Sequence, residues 1–142
     1  MNWGEAGALL VDTSAWMRVG SFLEAWTGAL DADRVVICAP VQLELLYSAR
    51  TRSEVSRLDE RLSVFRELPI TRGTFSAARH AMLELAATGS DGHHRVPLQD
   101  ILIAACAAEQ GCAVLHYDAH FDRLARVMSF TSIWAAPAGS LS

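Results

Sequence analysis

Four acidic residues stand in apolar company, where an unpaired charge is costly. Asp12 ends the run Ala8-Leu9-Leu10-Val11, Glu44 sits between Leu43 and Leu45, Asp100 precedes eight apolar residues, and Asp118 lies two positions after Ala113-Val114-Leu115-His116. Burying an unpartnered carboxylate costs several kcal/mol. The chain has no lysine, and none of its 12 arginines is adjacent in sequence to any of these four acids. A divalent cation is the economical partner, because carboxylate oxygens with room for water and phosphate are the ligands Mg²⁺ or Mn²⁺ takes. One or two such ions activate a water and steady the leaving oxygen in phosphodiester cleavage. Each acid also has an ordinary reading. Asp100 could be a helix N-cap on the helix dipole, Glu44 a partly exposed helical residue, and Asp118 or Asp122 the cap of a short helix. Asp12 fits such a role least, since an Asp ending a buried strand is a favoured site position in α/β sheets.

The elements that must position these acids alternate in type. Leu9 to Val11, Val35 to Cys38 and Ala113 to His116 are short continuous apolar runs that read as buried strands. Leu68-Pro69-Ile70 and Phe130 to Trp134 read as further short strands. Between them lie helices: a short one capped by Thr13 or Ser14, one over Phe22 to Leu30, and one entered through Pro40. Val55, Leu58, Leu62 and Phe65 share one face of an amphipathic helix, as do Phe75, Ala78, Met82 and Leu85 after a cap at Thr71 or Thr74. Asp100 opens a helix apolar on nearly every side, closed by Gly111 as C-cap, which predicts a helix packed inside the fold. A short helix carries Phe121, Leu124 and Ala125. Thr88-Gly89-Ser90-Asp91-Gly92 is the most loop-like stretch. The expected fold is a single α/β domain over residues 1–136, with a central, mainly parallel sheet of about four to five short strands flanked by helices, and a tail at 137–142.

Composition narrows the function classes. With 51% apolar and 20% charged residues in 142, the chain can bury one real core and is not globally disordered. A net charge of −4 is not that of a protein held to nucleic acid by bulk charge. Removing Asp12, Glu44, Asp100 and Asp118 from the 16 acids leaves 12 against 12 bases, a neutral shell around an acidic spot. Cys38, Cys106 and Cys112 show no paired spacing and read as buried reduced thiols rather than a disulfide or zinc framework. No apolar run approaches the ~18–20 residues of a membrane span. The first 17 residues carry no Lys or Arg, so no secretory leader is expected and the cytoplasm is the expected location.

The order and setting of the acids resemble the PIN-domain ribonucleases, and most closely the VapC toxins of bacterial toxin–antitoxin pairs. Leu10-Val11-Asp12-Thr13-Ser14-Ala15-Trp16 resembles that family's opening strand and first acid, and Val41-Gln42-Leu43-Glu44-Leu45-Leu46 its helical Glu. His94 to Ala105 is similar to the segment bearing its third acid, and Val114 to Ala125 to its closing motif. The resemblance covers nearly the whole chain. It implies a PIN-like fold and a Mg²⁺- or Mn²⁺-dependent endoribonuclease acting as a toxin, with Asp12, Glu44, Asp100 and Asp118 as catalytic metal ligands and Asp122 accessory. It also implies an RNA substrate, a small cognate antitoxin and a homodimer. One departure is His120, where the family often has Asp: an imidazole suits Mn²⁺ better than Mg²⁺.

Other residues carry weaker signals. Ser14 reads as a cap or a hydrogen bonder to the site, and His120 as accessory to it. Arg95 and Arg123 lie near the acids in sequence and are the candidate phosphate contacts for RNA. Arg50, Arg52, Arg57 and Arg61 read either as a partner- or RNA-facing surface or as a solvated face paired with Glu54 and Glu60. His93 and His94 read as loop residues, and His116 as packing. The four tryptophans form no stacking row. Two further readings stay open: a PIN-fold binding module that does not cleave, and a phosphatase with an aspartyl nucleophile at Asp12. The second lacks another Asp two residues on, where Ser14 stands.

Overall fold

The structure, a computed structural model, describes residues 3–88 and 95–141. Most of the turn expected at 88–92, together with His93 and His94, lies outside the described residues. In chain order the elements are β1 (Leu9–Val11), α1 (Thr13–Trp16), α2 (Leu23–Asp31), β2 (Val35–Cys38), α3 (Ala39–Ser48), α4 (Arg52–Leu62), β3 (Arg66–Leu68), α5 (Arg72–Ala87), α6 (Leu98–Gln110), β4 (Ala113–His116), α7 (His120–Ala125) and β5 (Thr131–Trp134). None of these helices is long and apolar enough to cross a membrane.

All five strands pair in parallel, in the order β3-β2-β1-β4-β5. Parallel strands covered on both faces must be apolar throughout, and β1, β2 and β4 are buried along their whole length. Alternation sends Leu10, Val36 and Val114 into one core layer with α6. Leu9, Val11 and Leu115 enter the other, with Trp3, Ala15 and Trp26. From β1 the chain steps outward to β2 and β3, then returns to place β4 on the opposite side of β1. The C-terminal ends of β1 and β4 therefore meet where the strand order reverses, the usual crevice of an open α/β sheet.

α6 is the central support of the first layer. Ile101, Ile103, Ala104, Ala105, Cys106 and Ala107 are all buried, as the apolar run from Ile101 to Ala108 predicts. Its C-cap Gly111 adopts φ 68°, the left-handed turn a side chain resists, and the Cys112 amide closes the helix on the Ala107 carbonyl. α5 opens with a capping box between Thr71 and Thr74. All three cysteines are free and buried.

Three local expectations shift. The edge strand is Arg66–Leu68 rather than Leu68 to Ile70, since Pro69 has no N–H to continue a ladder. α4 buries only Leu62 fully and leaves Val55 at the surface. Phe75, on the apolar face of α5, is 56% exposed beside the open Leu98 of α6, so among the described residues this end of the stripe is not covered, while Ala78 and Leu85 are buried.

Candidate active site

The site grows from the seam between β1 and β4. The Asp12 amide donates to the Leu115 carbonyl at 2.9 Å, carrying the pairing one residue beyond β1. Its backbone is still extended (φ −75°, ψ 157°), and its Oδ2 accepts from the Ser14 amide at 3.0 Å and the Ser14 hydroxyl at 2.6 Å. Asp12 itself, not Thr13 or Ser14, is therefore the N-cap of α1. The Ser14 Oγ also accepts from the Tyr117 amide at 2.9 Å, so one hydroxyl ties the loop after β1 to the loop after β4. Thr13 Oγ1 donates to Glu44 Oε1 at 2.8 Å, which brings in α3.

Asp100 is not a cap. α6 begins at Leu98 with Pro97 in the cap position, and Asp100 lies inside the first turn, where the helix dipole favours a negative charge. Asp118 follows β4; its Oδ1 accepts from the His120 amide at 3.0 Å. The His120 Nδ1 stands 3.0 Å from both Asp100 Oδ2 and Asp118 Oδ1. Asp100, Asp118 and His120 thus offer ligand atoms within 4.8 Å of one another.

Electrostatics joins these groups to the other two acids. Burial pushes the Asp12 carboxyl above its ordinary value, and Glu44 adds to this against the two Ser14 hydrogen bonds. Asp100 is pushed up to about 7, first by burial and then by Asp12 and Asp118, while its hydrogen bond to His120 pulls the other way. Four carboxylates therefore share one neighbourhood, and the most central one resists ionisation. Beside them an open cavity of about 410 Å³ is lined by Thr13, Leu43, Glu44, Tyr47 and Gln99.

The remaining candidates are placed differently. Asp122 faces β5, where its Oδ1 accepts from Ser132 at 2.8 Å and its Oδ2 from Trp134 Nε1 at 2.9 Å. Arg95 is exposed just before α6. Arg123 lines a small cavity with Leu85, Thr88, Arg126 and Val127. His116, read from sequence as packing, is fully buried yet hydrogen-bonded at both ring nitrogens, and burial pushes it down to about 4. Sequence reasoning missed the Thr13–Glu44 contact and Arg18. The Arg18 guanidinium donates to the Ser14 carbonyl at 2.8 Å and lies 4.9 Å from the centre of the Tyr117 ring. Its place on the turn after the Asp-Thr-Ser triplet was the only signal available.

The family model for the PIN domain matches residues 9–127, a span that holds all of these acids. The chain belongs to the PIN-domain family. Ribonuclease VapC18 of Mycobacterium tuberculosis is 36% identical over 133 residues, covering 92% of this chain and 97% of that protein. Ribonuclease VapC51 of the same organism is 36% identical over 136 residues, covering 93% and 96%. Among solved structures, a member of the VapBC family of toxin-antitoxin systems, VapBC-5 from Mycobacterium tuberculosis, matches with a TM-score of 0.63 at 25% identity, covering 91% of this chain and 98% of its own.

The donor set of this PIN domain fits a divalent cation. Asp100 and Asp118 present hard oxygen donors and His120 an imidazole nitrogen, and the burial and neighbouring acids that raise the Asp100 carboxyl are both offset by a bound cation.

Proposed function

We propose that this PIN domain is a metal-dependent endoribonuclease and the toxin of a toxin–antitoxin pair. The observation that carries the reading is the convergence of Asp12, Asp100, Asp118 and His120 at the seam of β1 and β4, in a chain whose relatives are named as VapC ribonucleases. Asp100, Asp118 and His120, with Asp12 and Glu44 beside them, would hold Mg²⁺ or Mn²⁺, and His120 would favour Mn²⁺. Such an ion supplies Lewis acidity to a water and to the scissile phosphate.

The chain's own residues set the geometry. Ser14 is not the nucleophile: its hydroxyl hydrogen is spent on Asp12, and its oxygen accepts from the Tyr117 amide. His116 is fully buried and cannot reach a substrate. Water is the attacking group, and Glu44, which lines the open cavity, stands where it can orient it. Arg95 and Arg123 receive RNA phosphates. The nuclease domain occupies residues 1–136, the tail 137–142, and the protein acts in the cytoplasm, where its substrate is.

Two apolar surfaces support the partners. A cavity of about 400 Å³ between α1, α2, α3 and α4, lined by Trp16, Trp26, Leu30, Leu45, Leu58 and Phe65, suits a segment of the antitoxin. That the structural neighbour VapBC-5 is named as a member of a family of toxin-antitoxin systems supports an antitoxin partner. The open stripe at Phe75 and Leu98, with a cavity of about 290 Å³, suits a second copy of the chain. The reading is tested by incubating the purified chain with single-stranded RNA and duplex DNA, with and without EDTA. Internal cuts in RNA alone, lost in chelator, are expected. Equal cutting of both polymers, or full activity in excess chelator, refutes it.

A further inference from the structure

We propose that His116 is a positioning residue for the site: it holds the Asp118 backbone through a hydrogen-bond chain anchored on Asp122, and that anchorage, rather than contact with a cation, is the role of Asp122. The inference rests on the reading of Asp100, Asp118 and His120 as the cation site.

The chain of bonds admits one arrangement of protons. The Asp118 amide can only donate, so the His116 Nδ1 it meets at 3.1 Å carries the lone pair. The neutral ring then bears its proton on Nε2 and donates to Ser132 Oγ at 2.6 Å. The Ser132 hydrogen goes to Asp122 Oδ1 at 2.8 Å, and Asp122 Oδ2 accepts from Trp134 Nε1 at 2.9 Å. Ser132 and Trp134 are two residues apart on β5 and so share one face. The register that pairs His116 with Trp134 sets that face against the ring. Phe121 and Trp134 close around it with ring centroids 5.0 Å away, and His116 is fully buried. In such a dry setting each bond is strong and a missing one costly.

Asp118 needs this support because it lies beyond the ladder. The last β4 carbonyl, that of His116, is bonded by the Ala135 amide, but the next two amides have no strand to meet. Side chains hold them instead, Ser14 Oγ for Tyr117 and His116 Nδ1 for Asp118. The Asp118 carboxylate is thus aimed by a ring whose own orientation is fixed from β5. Partners of this kind behind a metal ligand typically contribute 10- to 100-fold to affinity.

The test is calorimetric Mn²⁺ titration of the full chain as wild type, His116→Asn, His116→Gln, Asp118→Asn and Asp122→Asn. An Asn carbonyl reaches the level of Nδ1 and can accept from the Asp118 amide. A Gln reaches toward Ser132 but leaves that amide without its acceptor. Both His116 variants melt lower, yet His116→Gln is expected to bind Mn²⁺ about 10- to 100-fold more weakly and His116→Asn close to wild type. Asp122→Asn keeps measurable binding where Asp118→Asn loses it. Equal affinities for the two His116 variants, or a loss in Asp122→Asn as complete as in Asp118→Asn, overturns the proposal. Absence of Mn²⁺ binding by the wild type overturns the site reading beneath it. Should the variants not fold, ¹⁵N NMR of the wild-type ring decides: a proton on Nε2 with bare Nδ1 supports the chain, and a proton on Nδ1 refutes it.

Discussion

Replacing Asp100 by Asn separates a cation site from an ordinary structural acid. The Asp100 carboxyl is pushed from its ordinary 3.8 up to about 7, by burial first and then by Asp12 and Asp118. Its folded pKa is raised, so the folded state holds the proton more tightly than the unfolded chain. That contribution to stability is full below about pH 4 and is lost as pH rises to about 7. At about 1.4 kcal/mol per pH unit, complete ionisation costs the cation-free protein on the order of 4 kcal/mol. Asparagine has no charge to ionise, and its carbonyl oxygen still accepts from His120 Nδ1. The variant in EDTA should therefore melt higher than wild type at pH 8, by roughly 10 °C for a domain of this size, and no higher at pH 4. Divalent ions should raise the wild-type melting temperature and leave that of the variant nearly unchanged. RNA cleavage in a single-turnover assay should fall by about two orders of magnitude or more. Asp59→Asn and Glu60→Gln, on the exposed face of α4, serve as controls and should be neutral in both assays. A variant that melts several degrees lower at pH 8 in EDTA and still cuts RNA would show that Asp100 is structural and the site as drawn does not exist.

Activity removed by EDTA should return with Mn²⁺ at least as well as with Mg²⁺, because His120 is a ligand Mn²⁺ accepts more readily; a site that works with Mg²⁺ alone contradicts that assignment. Ser14→Ala strips the hydroxyl shared by Asp12 and the Tyr117 amide, and should cost about 1–3 kcal/mol in denaturant melts while slowing cleavage; unchanged values in both would remove Ser14 from the site. Gly73→Ala would drive a methyl group into the Glu109 carboxylate that bonds Thr71 and Thr74. The obstacle is the movable tip of an exposed side chain, so stability should change by less than about 1 kcal/mol and Mn²⁺ affinity not at all, as read by melting and titration.

The framework was legible in the residues because it depends on local rules. Runs such as Leu9-Leu10-Val11 and Ala113-Val114-Leu115-His116 are apolar without interruption, which only strands covered on both faces tolerate. Gly111 and the Thr71/Thr74 pair mark helix ends by chemistry confined to a few positions. The four acids stood out because each breaks an apolar context. What each acid does there was decided by distant partners. Asp12 turned out to cap α1 while facing the seam, and Asp100 lies within a helix that Pro97 caps. His120 entered the acidic group only because α6 and α7 bring Asp100 within 3.0 Å of its ring, across 20 residues of chain. Thr13 meets Glu44 across 31 residues, and His116 meets Ser132 across 16. No local pattern encodes such contacts. They follow from the order in which strands join the sheet and from the register of β5 on β4, which set the face Ser132 and Trp134 turn toward Asp122. The exposed Phe75 has the same origin: an apolar stripe announces that it will be covered, but only the packed fold tells whether the cover comes from its own chain.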